Sequence, residues 1–140
     1  MPSPNGSTLS SVAASLNKRV IAGCFRNARA VADTLRDSGW SGTVIAAGER
    51  WPDGTLRPAL EDLVGAGAIL SYLDETDMSP EAKVAVVAFR SVAANLQSTL
   101  MDCVSGRELV ERGFSADVEI ASRLNESAVV PMLENGVYSA

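Results

Sequence analysis

The alternation of apolar and polar positions divides the 140-residue chain into short apolar runs and longer periodic stretches. Two short runs, residues 19–24 (RVIAGC) and 42–47 (GTVIAA), carry β-branched residues and end at polar or turn-forming positions, which predicts strands. Between them Ala28, Val31, Ala32 and Leu35 recur at helical spacing, and Gly39 is placed to stop that helix. Strand, helix and strand make a βαβ unit, which implies parallel pairing and a right-handed crossover. Ahead of it, Asn5 and Gly6 form a turn signal. Ser7 and Thr8 are placed to cap a helix whose stripe is Leu9, Val12, Ala13 and Leu16.

The second run leads into a long polar loop over residues 48–57, with turn residues Pro52, Asp53 and Gly54. Pro58 suits the first turn of the next helix, whose face is Leu60, Leu63, Val64, Gly67 and Leu70. Residues 74–80 (DETDMSP) read as a solvated acidic linker ending in a Ser79 cap. A helix from there to about Leu100 carries Val84, Val87, Ala88, Val92 and Leu96. Ser105 with Glu108 forms a capping box for a helix through Arg112, stopped by Gly113. Asp117 to Leu124 is a last helical segment, and Val129 to Leu133 a final strand, at an edge because of Pro131. The expectation is one α/β domain over residues 1–140. It has a small, at least partly parallel sheet of about three strands flanked by helices in a three-layer-like arrangement. So small a sheet among so many helices predicts an open edge or apolar face, hence a homo-oligomer (dimer) or a partner that covers it.

Charge and composition narrow the chemistry. The net charge of −5 argues against a general nucleic-acid or anionic-membrane surface. No apolar run approaches about 18 residues, so no spanning segment is expected. Residues 1–10 lack the charged and apolar regions of a signal peptide, and Cys24 and Cys103 do not make a disulfide framework; a reduced, cytoplasmic setting fits. Cys24 reads as a small buried hydrophobe. With no histidine, serine–histidine–aspartate triads and histidine-ligated zinc are excluded. No phosphate-binding G-x-x-x-x-G-K-[ST] motif occurs, and neither cysteine is followed six positions later by arginine. What remains is chemistry by carboxylates, arginines, hydroxyls and backbone amides around a hard divalent cation.

The candidates cluster where the second apolar run ends. The crevice beyond the carboxyl end of a strand is where open α/β sheets bind ligands. Arg50 and Arg57 are available there for an anion, and Glu49, Glu61 and Asp62 for a cation or a water. Other readings stand beside these. Arg57 could pair with Glu61 four residues on, and Glu61 and Asp62 could simply complement the helix dipole. The Asn5-Gly6-Ser7-Thr8 element before a helix suits an anion or is a plain cap. Asn27 is a ligand contact or an N-cap, and Asp117 a cap or a polar site residue. Arg107 is an oxyanion ligand or a surface residue at a helix start. Trp51 covers a ligand or packs its own loop.

The stretch AGERWPDGTLRPALEDLVGAGAIL (residues 47–70) resembles the central motif of the 2-phosphosulfolactate phosphatase (ComB-like) family. Further matches follow in order: SPNGSTLS (3–10), IAGCFRNARAVA (21–32), SGRELVERGFSADVEIASRLN (105–125) and VVPML (129–133). The resemblance is to the C-terminal portion of that family. It implies a Mg²⁺-dependent phosphoric monoester hydrolase acting on a small anionic phosphate ester, 2-phosphosulfolactate, in coenzyme M biosynthesis. Glu49, Glu61 and Asp62 would be catalytic, with Glu61 and Asp62 on the metal. Asn5, Gly6, Ser7, Thr8, Asn27, Arg50, Arg57 and Arg107 would bind phosphate and sulfonate. The alternatives are a non-catalytic ligand-binding or interaction domain, or a fragment, that keeps the same core.

Overall fold

The computed structural model describes residues 4–139; Ser3 of the SPNGSTLS element lies outside them. In chain order the helices are α1 (Pro4–Ser15), α2 (Ala28–Ser38), α3 (Leu60–Leu70), α4 (Pro80–Val92), α5 (Leu96–Asp102), α6 (Val104–Glu111) and α7 (Ser115–Ala121). The strands are β1 (Glu49–Arg50), β2 (Leu56–Arg57), β3 (Met132–Glu134) and β4 (Val137–Ser139).

The core is helical. α3 is the central element because its small residues Gly65, Ala66, Gly67 and Ala68 are all buried. A methyl group at Gly67 would overlap the Ala85 carbonyl, so only glycine lets α4 approach this closely. Ala28, Val31 and Ala32 of α2, Val64 and Ala68 of α3, and Phe89, Leu96 and Leu100 of the later helices meet in one cluster.

Several helix boundaries follow from local chemistry. Ser79 accepts a hydrogen bond from the Ala82 amide at 3.3 Å and Pro80 opens α4. Gly39 closes α2 with φ +66°. Others moved. α1 begins at Pro4, so Asn5 to Thr8 lie within its first turns and not in a turn before it. Pro58 stands outside α3, whose N-cap position is Ala59. The expected helix to Leu100 is broken by a tight 3-10 turn at Ala93–Asn95. Together α4, that turn and α5 make a 23-residue run, Pro80–Asp102, that by length and composition alone is apolar enough to cross a membrane. The sequence expectation missed it because Glu81, Lys83 and Arg90 interrupt the apolar positions. Its inward face, Ala85, Val86, Phe89, Leu96 and Leu100, is packed into the core. The expected capping box at Ser105 gives way to Cys103, whose sulfur accepts from the Gly106 amide at 3.4 Å.

The expected parallel sheet is not present among the described residues; both two-stranded sheets are antiparallel. Residues 19–24 use their ladder bonds on the chain end. Ala22 N–H donates to Pro131 at 2.9 Å, Leu133 N–H donates to Val20 at 2.9 Å, and Ile21 bridges Met132 antiparallel. Residues 42–47 run without a backbone partner among the described residues. A parallel pair needs the two segments side by side, and the bonds that would join them are absent or made elsewhere. Cys24 is correspondingly exposed and not buried, since this segment has neighbours on only part of its surface.

Candidate functional site

Three separate elements meet at Gly48. The residue is buried with φ +71°, a left-handed conformation that favours glycine, and the Leu56 side chain lies over it. Its N–H donates to Asp62 Oδ2 at 2.7 Å, and its carbonyl accepts from Asn5 Nδ2 at 3.0 Å. The Asn5 amide nitrogen also donates to Glu49 Oε2 at 3.2 Å. Asn5 is only 7% exposed. The first turn of α1, the chain entering β1 and the first turn of α3 are thus tied into one polar knot, with the Glu49 and Asp62 carboxylates on its rim. Burial pushes the Asp62 carboxyl above the usual carboxylate range; the Gly48 amide opposes this and the neighbouring Glu61 charge adds to it.

Glu61 lies beside this knot, facing α6. Its Oε2 accepts from the Cys103 thiol at 3.7 Å, while the same sulfur lies 3.1 Å from the Leu100 carbonyl. Burial and the Glu61 carboxylate push the Cys103 thiol upward, so it remains a protonated donor. β1 and β2 form a small hairpin in which Glu49 stands opposite Arg57 and Arg50 opposite Leu56. The Arg57 side chain, 11% exposed, does not pair with Glu61. Its guanidinium reaches Glu108 of α6 through two bonds of 3.3 and 3.4 Å and lies over the Trp51 ring, 5.6 Å from its centre. Arg50 Nη1 closes the hairpin loop on the Gly54 carbonyl at 2.7 Å, and Asp53 turns the loop by accepting from the Thr55 amide and hydroxyl.

The other predicted site residues sit apart or play local parts. Gly6 and Ser7 carbonyls accept from the Ser10 and Ser11 hydroxyls within α1, and Ser7 and Thr8 are exposed. Asn27 is buried and uses its amide on the backbone: Oδ1 accepts from Cys24 N–H at 2.8 Å, and Nδ2 donates to Ala22 and Val129. It holds residues 22–24 to the chain end instead of facing Gly48. Arg107 is exposed on α6, with no ion-pair partner among the described residues. Asp117 lines a separate shallow cleft of about 350 Å³ with Cys24, Arg26 and Ile120.

Sequence reasoning missed the double role of Gly48, the Cys103 contact to Glu61 and the Glu108 contact to Arg57. A glycine closing an apolar run was the available signal for the first; the others depend on where α6 docks. For a hard cation the donor chemistry fits, since Asp62, Glu61 and Glu49 are oxygen ligands. Among the described residues, however, no group of three or more acidic, cysteine or histidine side chains gathers around one point. Mg²⁺ commonly takes only one or two carboxylates and completes its shell with water and substrate phosphate; the Glu61 and Asp62 carboxylates are engaged by different partners, Cys103 and Gly48.

Comparison with known proteins settles the lineage. Residues 1–136 match the family model for 2-phosphosulpholactate phosphatase. The chain belongs to this family. It is similar to a protein named "Probable 2-phosphosulfolactate phosphatase" from Carboxydothermus hydrogenoformans, 34% identical over 81% of this chain and 46% of that protein. It is also similar to the "2-phosphosulfolactate phosphatase" of Methanothermobacter thermautotrophicus, 31% identical over 87% of this chain and 51% of that protein. A Thermotoga petrophila protein with the same name as the first is 30% identical over 87% of this chain and 51% of its own length. The chain spans about half the length of the curated relatives it matches.

Proposed function

We propose that this chain carries part of the active site of a Mg²⁺-dependent phosphoric monoester hydrolase that converts 2-phosphosulfolactate, or a similar small anionic ester, to sulfolactate and phosphate. The observation that carries the reading is the convergence of Asn5, Glu49 and Asp62 on Gly48 from three elements within a chain of this family. In this proposal a water oxygen attacks phosphorus, the ester P–O bond breaks, and the proton released by the water passes to a carboxylate while the leaving alkoxide is protonated. Glu49, the carboxylate of the set not assigned to the metal, is the group proposed to receive that proton. Asn5 holds Glu49 in place, and the Gly48 amide fixes one Asp62 oxygen. Glu61 and Asp62 would hold Mg²⁺, which when bound supplies charge neutralisation for the phosphoryl oxygens. Arg57 and Arg50 neutralise the substrate's anionic groups, Arg57 exchanging Glu108 for the ligand. With both cysteines free, the setting proposed is cytoplasmic.

The test is phosphate release from 2-phosphosulfolactate with Mg²⁺ and with EDTA, for the wild type and for Asp62→Asn. Metal-dependent release lost in Asp62→Asn supports the proposal; metal-dependent release that survives the substitution overturns the role of Asp62. A second reading is a non-catalytic ligand-binding domain, favoured by Glu61 and Asp62 each being engaged within the protein, by Cys103 and Gly48. Substrate binding by calorimetry with no release would select it.

A further inference from the structure

We propose that Glu108 of α6 is a built-in competitor for an anion site at Arg57. Its carboxylate takes the place on the guanidinium that a tetrahedral oxyanion would take, and such an anion binds by displacing it. The inference rests on the reading of Arg57 as an anion ligand and adds the contact that regulates it.

The first observation is how Arg57 is held. Its side chain is 11% exposed, whereas those of the other ion-paired arginines, Arg26, Arg36, Arg90 and Arg123, are 39% to 56% exposed among the described residues. The Trp51 ring lies against the guanidinium, and the Arg57 backbone is paired with Glu49 in the hairpin. Both hold the cation without help from Glu108. A guanidinium shielded from water attracts an anion more strongly than one in solvent.

The second observation is how loosely its partner is held. Glu108 is 47% exposed, so its carboxylate has water to turn into. Nη1 and Nη2 each donate to a separate carboxylate oxygen, at 3.4 and 3.3 Å. That is the forked arrangement that two oxygens of a phosphate also accept, but it is longer than the roughly 2.7–2.9 Å of a strong charged pair. Arg90 and Glu75, both about half exposed, reach 2.6 Å.

The third observation is what moves and what does not. A side chain at Gly106 would overlap the Leu100 carbonyl, and Cys103 caps α6 while contacting Glu61, so the helix is anchored. Displacement is therefore a rotation of the Glu108 side chain. The carboxylate opposite Arg57 in the hairpin, Glu49, is held by Asn5 and does not take over. A site whose binding-competent state is only partly populated binds more weakly by that fraction, so removing the competitor tightens it.

The experiment measures binding of inorganic phosphate by calorimetry to the wild type, Glu108→Gln, Arg57→Gln and the double variant. Glu108→Gln should bind roughly threefold tighter or more, the scale of releasing a partly exposed ion pair. In the Arg57→Gln background the same change should give no gain, which separates displacement at Arg57 from the general effect of removing a negative charge. Affinity that is unchanged or weaker in Glu108→Gln, or a gain that persists without Arg57, would overturn the proposal. Glu108→Ala is read in the same way should Glu108→Gln not fold, and loss of the fold in both would make the pair structural and overturn it. Tighter phosphate binding in Glu108→Gln without turnover of 2-phosphosulfolactate leaves this inference standing and sinks the phosphatase reading. Turnover with the same KM in wild type and Glu108→Gln does the reverse.

Discussion

The helical side of the molecule and the Gly48 side are built on different terms. On the helical side, α3 and α4 meet through glycine and alanine, and Val64, Val86 and Ala68 are almost wholly shielded from water. The buried residues there gain from neighbours that other parts of the same chain provide, while Val84 and Val87 on the outer face of α4 stay in solvent. On the Gly48 side, a few polar bonds hold the geometry while Ile45 and Leu56 stand in solvent. The lesson is that packing supplies stability in one region and hydrogen bonds supply position in the other. The positional region is the one proposed to meet the substrate.

Substitutions can break this contrast. The largest expected loss is at Phe89, 6% exposed in the core: Phe89→Ala should cost about 3–5 kcal/mol in urea unfolding. A loss below about 1 kcal/mol would mean the helical core is not the main source of stability. Next comes Asn5→Ala, which leaves the buried Gly48 carbonyl without its partner and should cost about 1–3 kcal/mol. An unchanged urea midpoint would show that Asn5 positions nothing.

Asp62 sharpens the comparison through pH. Its folded carboxyl lies above the usual value because burial penalises the charge. The folded state therefore favours the protonated form, and that contribution is present below the unfolded value and lost as pH rises through the raised folded value. Asp62→Asn keeps an acceptor for the Gly48 amide while removing the charge. Stability of the wild type relative to this variant should accordingly decline as pH rises above about 4, the ordinary carboxylate value. A difference that is flat or rises with pH would contradict the assigned environment. The smallest effect is expected at Ile45→Ser, within about 0.5 kcal/mol in the isolated chain, because this side chain is already hydrated. A loss of core size there would show that residues 42–47 are packed in solution.

Much of the helical framework was legible because its signals act within a few residues. Ser79 capping α4, Gly39 ending α2 and the Ala28–Val31–Ala32 stripe all depend on local geometry. The break at Ala93–Asn95 and the Cys103 cap were not legible. The first sits in a stretch of good helix formers, and the second depends on α6 docking so tightly that any side chain at Gly106 would overlap the Leu100 carbonyl. The strands failed for a further reason. Apolar β-branched runs identify segments that want a partner, but the partner is chosen by the rest of the fold. Residues 19–24 found the chain end in antiparallel register, and 42–47 found none among the described residues.

By itself the sequence determined the lineage, the positions of most helices and the types of chemistry available, since motifs, caps and periodicity are properties of neighbouring residues. Only the tertiary structure decided which of the candidate groups act together. Asn5 reaches Gly48 across 43 positions, and Arg57 reaches Glu108 across 51 in place of the nearby Glu61. Contacts of that span exist only once the helices have packed. Packing is set by volume and by backbone approach, at residues such as Gly67 and Gly106, far from the groups it brings together.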